Sequence, residues 1–251
     1  IMICDSTFKF SFSPIFEIKD FIQKNDIQIL HCHLARSQVF WYIIKKFFCP
    51  KIKLILHEHG EIFENGKIYP FLMNMFRNTV DLFLAVSQAT KNKILQKTQY
   101  TEDRIKVLYN FVDLKKFKKL STVDIDSERK KYWIDKDDFV LGFGARFIKR
   151  KWWQEFVNSA NNLKKKWFNF KFLMSWDWED KNAIENYIVK NDLQNNINLI
   201  WYIDDMTSFY NCLDCFVFPS HVEALWLTGI EANACWCPVI ACDIDWLNEI
   251  M

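Results

Sequence analysis

Glycine is scarce in this chain: 5 of 251 residues, where ordinary usage of about 7% would supply roughly three times as many. Sharp turns between strands and helices usually rely on glycine's freedom to take positive φ, so a shortage has to be made up in some other way. Other things are missing too. There is no run of 18 apolar residues, which argues against a membrane-spanning helix, and the opening Ile1-Met-Ile-Cys-Asp5 does not read as a secretory leader. Neither sign of charge is in excess, since 33 basic and 31 acidic residues leave a net charge of +2; this argues against a dedicated nucleic-acid binder. Gly142-Phe-Gly144 runs on to Lys149 without the third glycine of a dinucleotide fingerprint, and no Walker lysine motif exists. Ser87 and Ser220 stand in no nucleophile-elbow context.

Tryptophan, by contrast, is abundant: there are 11. Many stand where a turn asks for no side chain. Trp176 and Trp178 frame an aspartate after the strand-like run 170–174, Trp152 follows Lys149-Arg-Lys151, Trp236 precedes Cys-Pro, and Trp246 follows Asp245. The pattern predicts that Trp133, Trp152, Trp167, Trp176, Trp178, Trp201, Trp226, Trp236 and Trp246 are glycines in the living protein, encoded by UGA codons that the source cell reads as glycine. Trp41, in an apolar helix, and one of Trp152 and Trp153 are candidates for genuine tryptophan. The alternative is a tryptophan-rich chain that uses its indoles as membrane-interface anchors or sugar-stacking platforms, clustered on one face.

With 50% hydrophobic residues the chain can fill two modest cores. The 8 cysteines include Cys212-Leu-Asp-Cys215 and Cys235-Trp-Cys237, which invite a four-thiolate zinc site. One intervening residue in the second pair is fewer than such sites use, so buried thiols in a reducing cytoplasm are the better account. Basic clusters at 45–53 and 163–166 are compatible with an anionic membrane surface or with solvated helix ends. The beginning on isoleucine and the stop at Met251 after a strand-turn pattern predict that both ends are truncated.

Apolar, β-branched runs at 27–31, 53–56, 82–86 and 105–109 alternate with helical spacing at 37–48 and 87–98. A second series of runs lies at 139–144, 170–174, 197–200, 215–218 and 239–242. Such alternation predicts an α/β fold of two Rossmann-like parallel-sheet domains facing a cleft. The polar, strandless stretch 110–126 is the natural boundary, giving domains 1–118 and 119–251, both incomplete.

The most telling segment runs from Ser220 to Ala241 and carries Glu223 and Glu231. The apolar run 215–218 ends at Pro219, a polar loop follows, and a helix is predicted to start near Leu227. Glu223 therefore falls in a loop at a strand's carboxyl end, where open α/β sheets bind ligands. Glu231 falls in the first turns of the helix, and the free N–H groups near Trp226, Leu227 and Thr228 suit an anion. Strand 139–144 leads to Arg146 and Lys151, cations able to clamp a diphosphate, although alone they read as a solvated basic turn. Leu54-Ile-Leu-His-Glu-His-Gly60 and Leu30-His-Cys-His33 place histidines at alternate strand-end positions. Nothing in the spacing fixes a third metal ligand, so contact with substrate hydroxyls is favoured, with His59 best placed.

These residues resemble the retaining family-4 glycosyltransferases, the large group-1 class with a GT-B fold. The likeness spans nearly the whole chain. It rests on Glu223 and Glu231, on Arg146 and Lys151 at the family's spacing, and on Asn110-Phe-Val-Asp113 and Asp214-Cys-Phe-Val-Phe-Pro-Ser220. Family glycines fall at Trp152, Trp176, Trp178, Trp201, Trp226, Trp236 and Trp246. The resemblance implies transfer of a sugar, with retention, from a nucleotide-diphosphate sugar to a hydroxyl of a saccharide or lipid-linked saccharide, with no cofactor and no essential metal. It implies a cytoplasmic protein, compatible with peripheral contact at the inner face of the plasma membrane.

In this reading Arg146 and Lys151 stabilise the departing diphosphate, while Leu227 and Thr228 cradle the phosphates through their amides. Glu231 takes the ribose hydroxyls. Glu223 takes the donor sugar near its reacting carbon, and His59 the donor sugar or transition state. Trp226 and Trp236, taken literally, would crowd the donor loop. A nucleotide-sugar epimerase of the same fold and a catalytically dead sugar-nucleotide-binding protein are the alternatives.

Overall fold

The computed structural model describes residues 13–33, 41–60, 66–144, 153–166, 169–175, 181–200, 203–219, 227–243 and 249. The chain forms two compact units, Ile1–Tyr109 and Asn110–Met251. Each is built on one parallel sheet.

In the first unit α1 (Ser13–Lys24) leads to β1 (Ile29–His33), and helical turns at 41–43 finish as a π-helical turn, Ile44–Phe48. Next come β2 (Lys53–Glu58), α2 (Ile68–Phe76), β3 (Leu82–Ala85), α3 (Gln88–Lys97) and β4 (Ile105–Val107). The four strands lie in the order β1-β2-β3-β4. Ile15, Ile18 and Ile22 recur at helical spacing along α1 and pack with Ile44 and Ile52. A second cluster gathers Leu54, Leu56, Phe83, Ala85, Met73, Ile94 and Ile105. Strands covered in this way read as continuous apolar runs, which is why they were visible in the sequence.

Two expected boundaries move for a local reason. β1 begins at Ile29 rather than Ile27 because the Ile27 N–H donates to the Ile22 carbonyl at 3.0 Å, closing α1 with Asp26 at φ 49°. Ser87 precedes its helix instead of opening it: its hydroxyl accepts from the Thr90 N–H at 3.0 Å, a buried N-cap.

The second unit runs α4 (Thr122–Lys131), β5 (Phe139–Gly144), α5 (Trp153–Lys165), β6 (Phe170–Ser175), α6 (Lys181–Lys190) and β7 (Ile197–Ile200). It ends with α7 (Met206–Cys212), β8 (Cys215–Phe218), α8 (Leu227–Ala234) and β9 (Val239–Ala241). The strand order is β7-β6-β5-β8-β9, all parallel. Stacked aromatics fill its core: Phe156 lies 4.3 Å from Phe172 and 5.4 Å from Phe143 between ring centroids.

The division between the units falls at Tyr109 and Asn110, ahead of the expected 118/119. The intervening residues are fastened to α7: Thr207 Oγ1 donates to the Lys116 carbonyl at 3.1 Å. Asn211, buried, donates to the Lys118 carbonyl and accepts from the Leu120 N–H, both at 2.9 Å. Arg129 then pins α4 beside β8, since its guanidinium meets Asp214 Oδ2 at 2.7 Å, and that same oxygen accepts from the Val140 N–H at 2.8 Å.

β5 needs its glycine at 142. A Cβ there would sit 2.1 Å from Leu213 Cδ1, closer than any packed contact. Gly142→Ala is therefore expected to cost about 1–3 kcal/mol, read as a lower denaturant midpoint at unchanged slope.

Candidate active site

The strand order of the second unit reverses between β5 and β8. From β5 the chain builds outward to β6 and β7, then returns to place β8 on the other side of β5 and β9 beyond it. Ligands bind open α/β sheets outside the carboxyl ends of the strands at such a reversal. β5 and β8 are direct neighbours, with Leu141 opposite Cys215 and Gly142 opposite Phe216. In sequence, β5 is followed by Arg146 and Lys151, and β8 by Glu223. Arg146, Lys151 and Glu223 themselves lie outside the described residues.

α8 spans Leu227–Ala234, and the residues before it, 220–226, lie outside the described residues. Leu227 and Thr228 open the first turn, whose N–H groups have no partner within the helix. One turn on, Glu231 is half-buried, and Tyr210 of α7 donates its hydroxyl to Glu231 Oε2 at 2.8 Å. Burial raises the Glu231 pKa above the usual carboxylate value; the Tyr210 hydrogen bond and the Lys116 charge pull the other way without cancelling it. Burial and the adjacent Glu231 charge push the Tyr210 phenol far up, so it remains a donor. Tyr210 was not singled out in the sequence, because an aromatic in an apolar helix reads as core and its partner is distant along the chain.

Trp236 lies just past the C-terminal end of α8 and is 79% exposed. The donor loop it was expected to crowd, 220–226, lies outside the described residues. Trp226 lies outside the described residues.

In the first unit, His31 and His33 of β1 lie on the same face as His57 of β2, with His33 opposite His57 in the parallel register. His59 follows, and its Nε2 lies 2.8 Å from His33 Nδ1 in a hydrogen bond. Ring centroids among the four are 4.4–5.4 Å apart for the contacting pairs. His57 is 5% exposed and faces the Leu108 backbone without a well-formed hydrogen bond. Burial first, then its histidine neighbours, lower its pKa to about 4. His31 and His59 are also lowered, chiefly by burial. The ligand atoms of His31, His33 and His57 lie within 4.8 Å of one another, close enough to share one ion. Strand pairing thus supplies the third imidazole that sequence spacing left open.

Glu58 supports this corner. It stands between His57 and His59 in sequence and is fully buried; its Oε1 accepts the Gly60 N–H at 2.8 Å, and its Oε2 accepts the Tyr69 hydroxyl. Gly60 takes φ 112°, which only glycine adopts readily. Glu58 was also missed in the sequence, although an acid inside an apolar strand is a signal in itself.

Cys212, Cys215, Cys235 and Cys237 are buried free thiols, and among the described residues they form no group able to share a metal ion. Burial pushes Cys212 and Cys237 up to about 12 and Cys235 to about 11.

The histidine face makes stability depend on pH. The fold refuses protons that the unfolded chain accepts below pH 6.5, so stability falls as pH drops from 6.5 towards about 4. In chelator-containing buffer the thermal midpoint should fall through this range. His57→Phe should flatten the fall, as differential scanning calorimetry would show.

Residues 124–251 match the family model described as Glycosyl transferases group 1, and residues 3–116 match Glycosyltransferase Family 4. A capsular polysaccharide biosynthesis glycosyltransferase, CapM, of Staphylococcus aureus is 32% identical over 166 residues, 64% of this chain and 43% of that protein. A UDP-Gal:alpha-D-GlcNAc-diphosphoundecaprenol alpha-1,3-galactosyltransferase of Escherichia coli is 23% identical over 240 residues, 90% of this chain and 60% of that protein. The chain thus spans about half the length of these curated relatives. Among solved structures, HepE of Anabaena in complex with UDP-glucose superposes with a TM-score of 0.80 at 20% identity, covering 94% of this chain and 65% of that one. A glycosyltransferase from Rickettsia africae superposes at 0.81 with 23% identity, covering 100% and 67%. Two parallel-sheet α/β units, the group-1 match over the second and the family-4 match over the first place the chain in the group-1 glycosyltransferases of GT-B fold.

Proposed function

We propose that the whole protein transfers a sugar, with retention of anomeric configuration, from a nucleotide-diphosphate sugar to a hydroxyl of a saccharide or lipid-linked saccharide during surface polysaccharide synthesis. The observation that carries this is the half-buried Glu231, held by Tyr210 on the helix that follows the β5/β8 reversal. A carboxylate fixed there through one oxygen suits a vicinal diol such as a ribose. The first-turn amides at Leu227 and Thr228 suit phosphate.

Arg146 and Lys151 are assigned the diphosphate, Glu223 the donor sugar, and His59 a neutral imidazole for the sugar or its transition state. The relatives named for capsule synthesis and for a diphosphoundecaprenol acceptor support the pathway and acceptor class, and the HepE complex with UDP-glucose supports the donor class. No cofactor or metal is assigned to the chemistry. The site of action is proposed as cytoplasmic, with peripheral contact at the inner membrane face. No helix among the described residues is long and apolar enough to cross a membrane.

The test is a screen of UDP-, GDP- and ADP-sugars with the full-length protein and an undecaprenyl-diphosphate saccharide acceptor, with and without EDTA. A glycosidic product whose anomeric configuration matches the donor, formed equally in EDTA, bears the reading out. Inversion, or epimerised free sugar without transfer, contradicts it.

A further inference from the structure

Four tryptophans fall among the described residues, and they divide into two kinds. Trp153 lies in α5 and is 4% exposed, packed with the helix's buried face, while Trp41 packs against both core clusters of the first unit. Trp133 and Trp236 are the opposite. They are 80% and 79% exposed, and they take positive φ, 52° and 62°.

The hydrogen bonds define what those two positions are. After α4, the Trp133 N–H donates to the Lys130 carbonyl at 3.2 Å and the Ile134 N–H to the Arg129 carbonyl at 3.1 Å. After α8, the Trp236 N–H donates to Asn233 at 2.9 Å and the Cys237 N–H to Ala232 at 3.0 Å. Both are Schellman closures, in which the residue past the helix end takes the left-handed conformation and is usually glycine. The next residue is buried in each case, Ile134 at 5% and Cys237 at 2% exposure. Two other closures, at Asp26 and Asp192, use a short polar side chain that tolerates this backbone. An indole is strained there, and at these exposures it buries too little to offset the strain.

We infer that the cell places glycine at 133 and 236, by reading UGA codons as glycine, and tryptophan at 41 and 153. The shortage of glycine and the split between packed and left-handed tryptophans point to the same substitution independently. Exposed indoles serving as membrane or partner anchors would explain exposure but not why both sit at a glycine backbone position. The remaining seven, Trp152, Trp167, Trp176, Trp178, Trp201, Trp226 and Trp246, lie outside the described residues.

The decisive measurement is mass spectrometry of the protein purified from its own cells, on peptides spanning residues 127–138 and 231–243. Glycine at both 133 and 236 is expected; any other residue at either one overturns the inference. A second measurement tests the geometry by itself. The chain carrying W133G and W236G should melt higher than the chain with both tryptophans, with each change raising the folded-to-unfolded ratio about fivefold. An equal or lower melting temperature overturns the strain on which the inference rests.

Discussion

Arg146→Ala in the whole protein is expected to lower kcat by more than about tenfold, a rise in barrier of at least about 1.4 kcal/mol, while KM for the donor changes far less. In the proposed reaction, charge builds on the diphosphate as the bond to the sugar breaks. A guanidinium that forks to two phosphate oxygens therefore does more for the transition state than for the bound donor. In sequence Arg146 comes two residues after β5, and the neighbouring strand β8 precedes Glu223. Arg146→Lys keeps the charge but loses the fork, so it should recover only part of the rate. Lys151→Ala should act similarly, and the double variant should lose less than the product of the single losses, because the proposed function assigns both to one leaving group. Steady-state kinetics across the donor range would show this. Wild-type kcat from Arg146→Ala would remove Arg146 from its assigned role.

The second large effect is on stability. Glu58→Ala is expected to destabilise the first unit by about 2–4 kcal/mol, because it strips an acceptor from two donors, the Gly60 N–H and the buried Tyr69 hydroxyl. Glu58→Gln retains one acceptor oxygen and should fall between alanine and the wild type. Urea denaturation followed by far-UV circular dichroism would rank the three. Equal midpoints would mean that the carboxylate does not hold this turn. If Glu58 also positions His59 through the Gly60 turn, Glu58→Gln should shift the His59 ring resonances in an NMR spectrum, which a remote loss of stability would not do.

Most strands were legible in the sequence because a parallel sheet covered on both faces writes itself as an apolar run, as at 54–56, 83–85 and 215–218. Their ends were less so. Ile27 belongs to a helix closure rather than to β1 because of one backbone hydrogen bond, and the π-helical turn at Ile44–Phe48 has the apolar spacing of an ordinary helix. The position of Glu231 on α8 was legible from local spacing. Tyr210 and Glu58 were not, since their roles depend on partners brought close by packing. The two histidine pairs were visible, but only the register that sets His33 opposite His57 turns them into one cluster.

The central claim is that Glu231 grips a nucleoside diphosphate beside the β5/β8 reversal. It is tested most directly by isothermal titration of UDP, GDP and ADP into the whole protein in EDTA, comparing wild type with Glu231→Ala. The account predicts that one of the three binds the wild type without metal, and that Glu231→Ala weakens it by about tenfold or more, close to 1.4 kcal/mol. Undiminished affinity in Glu231→Ala, or no binding of any of the three to the wild type, would contradict it.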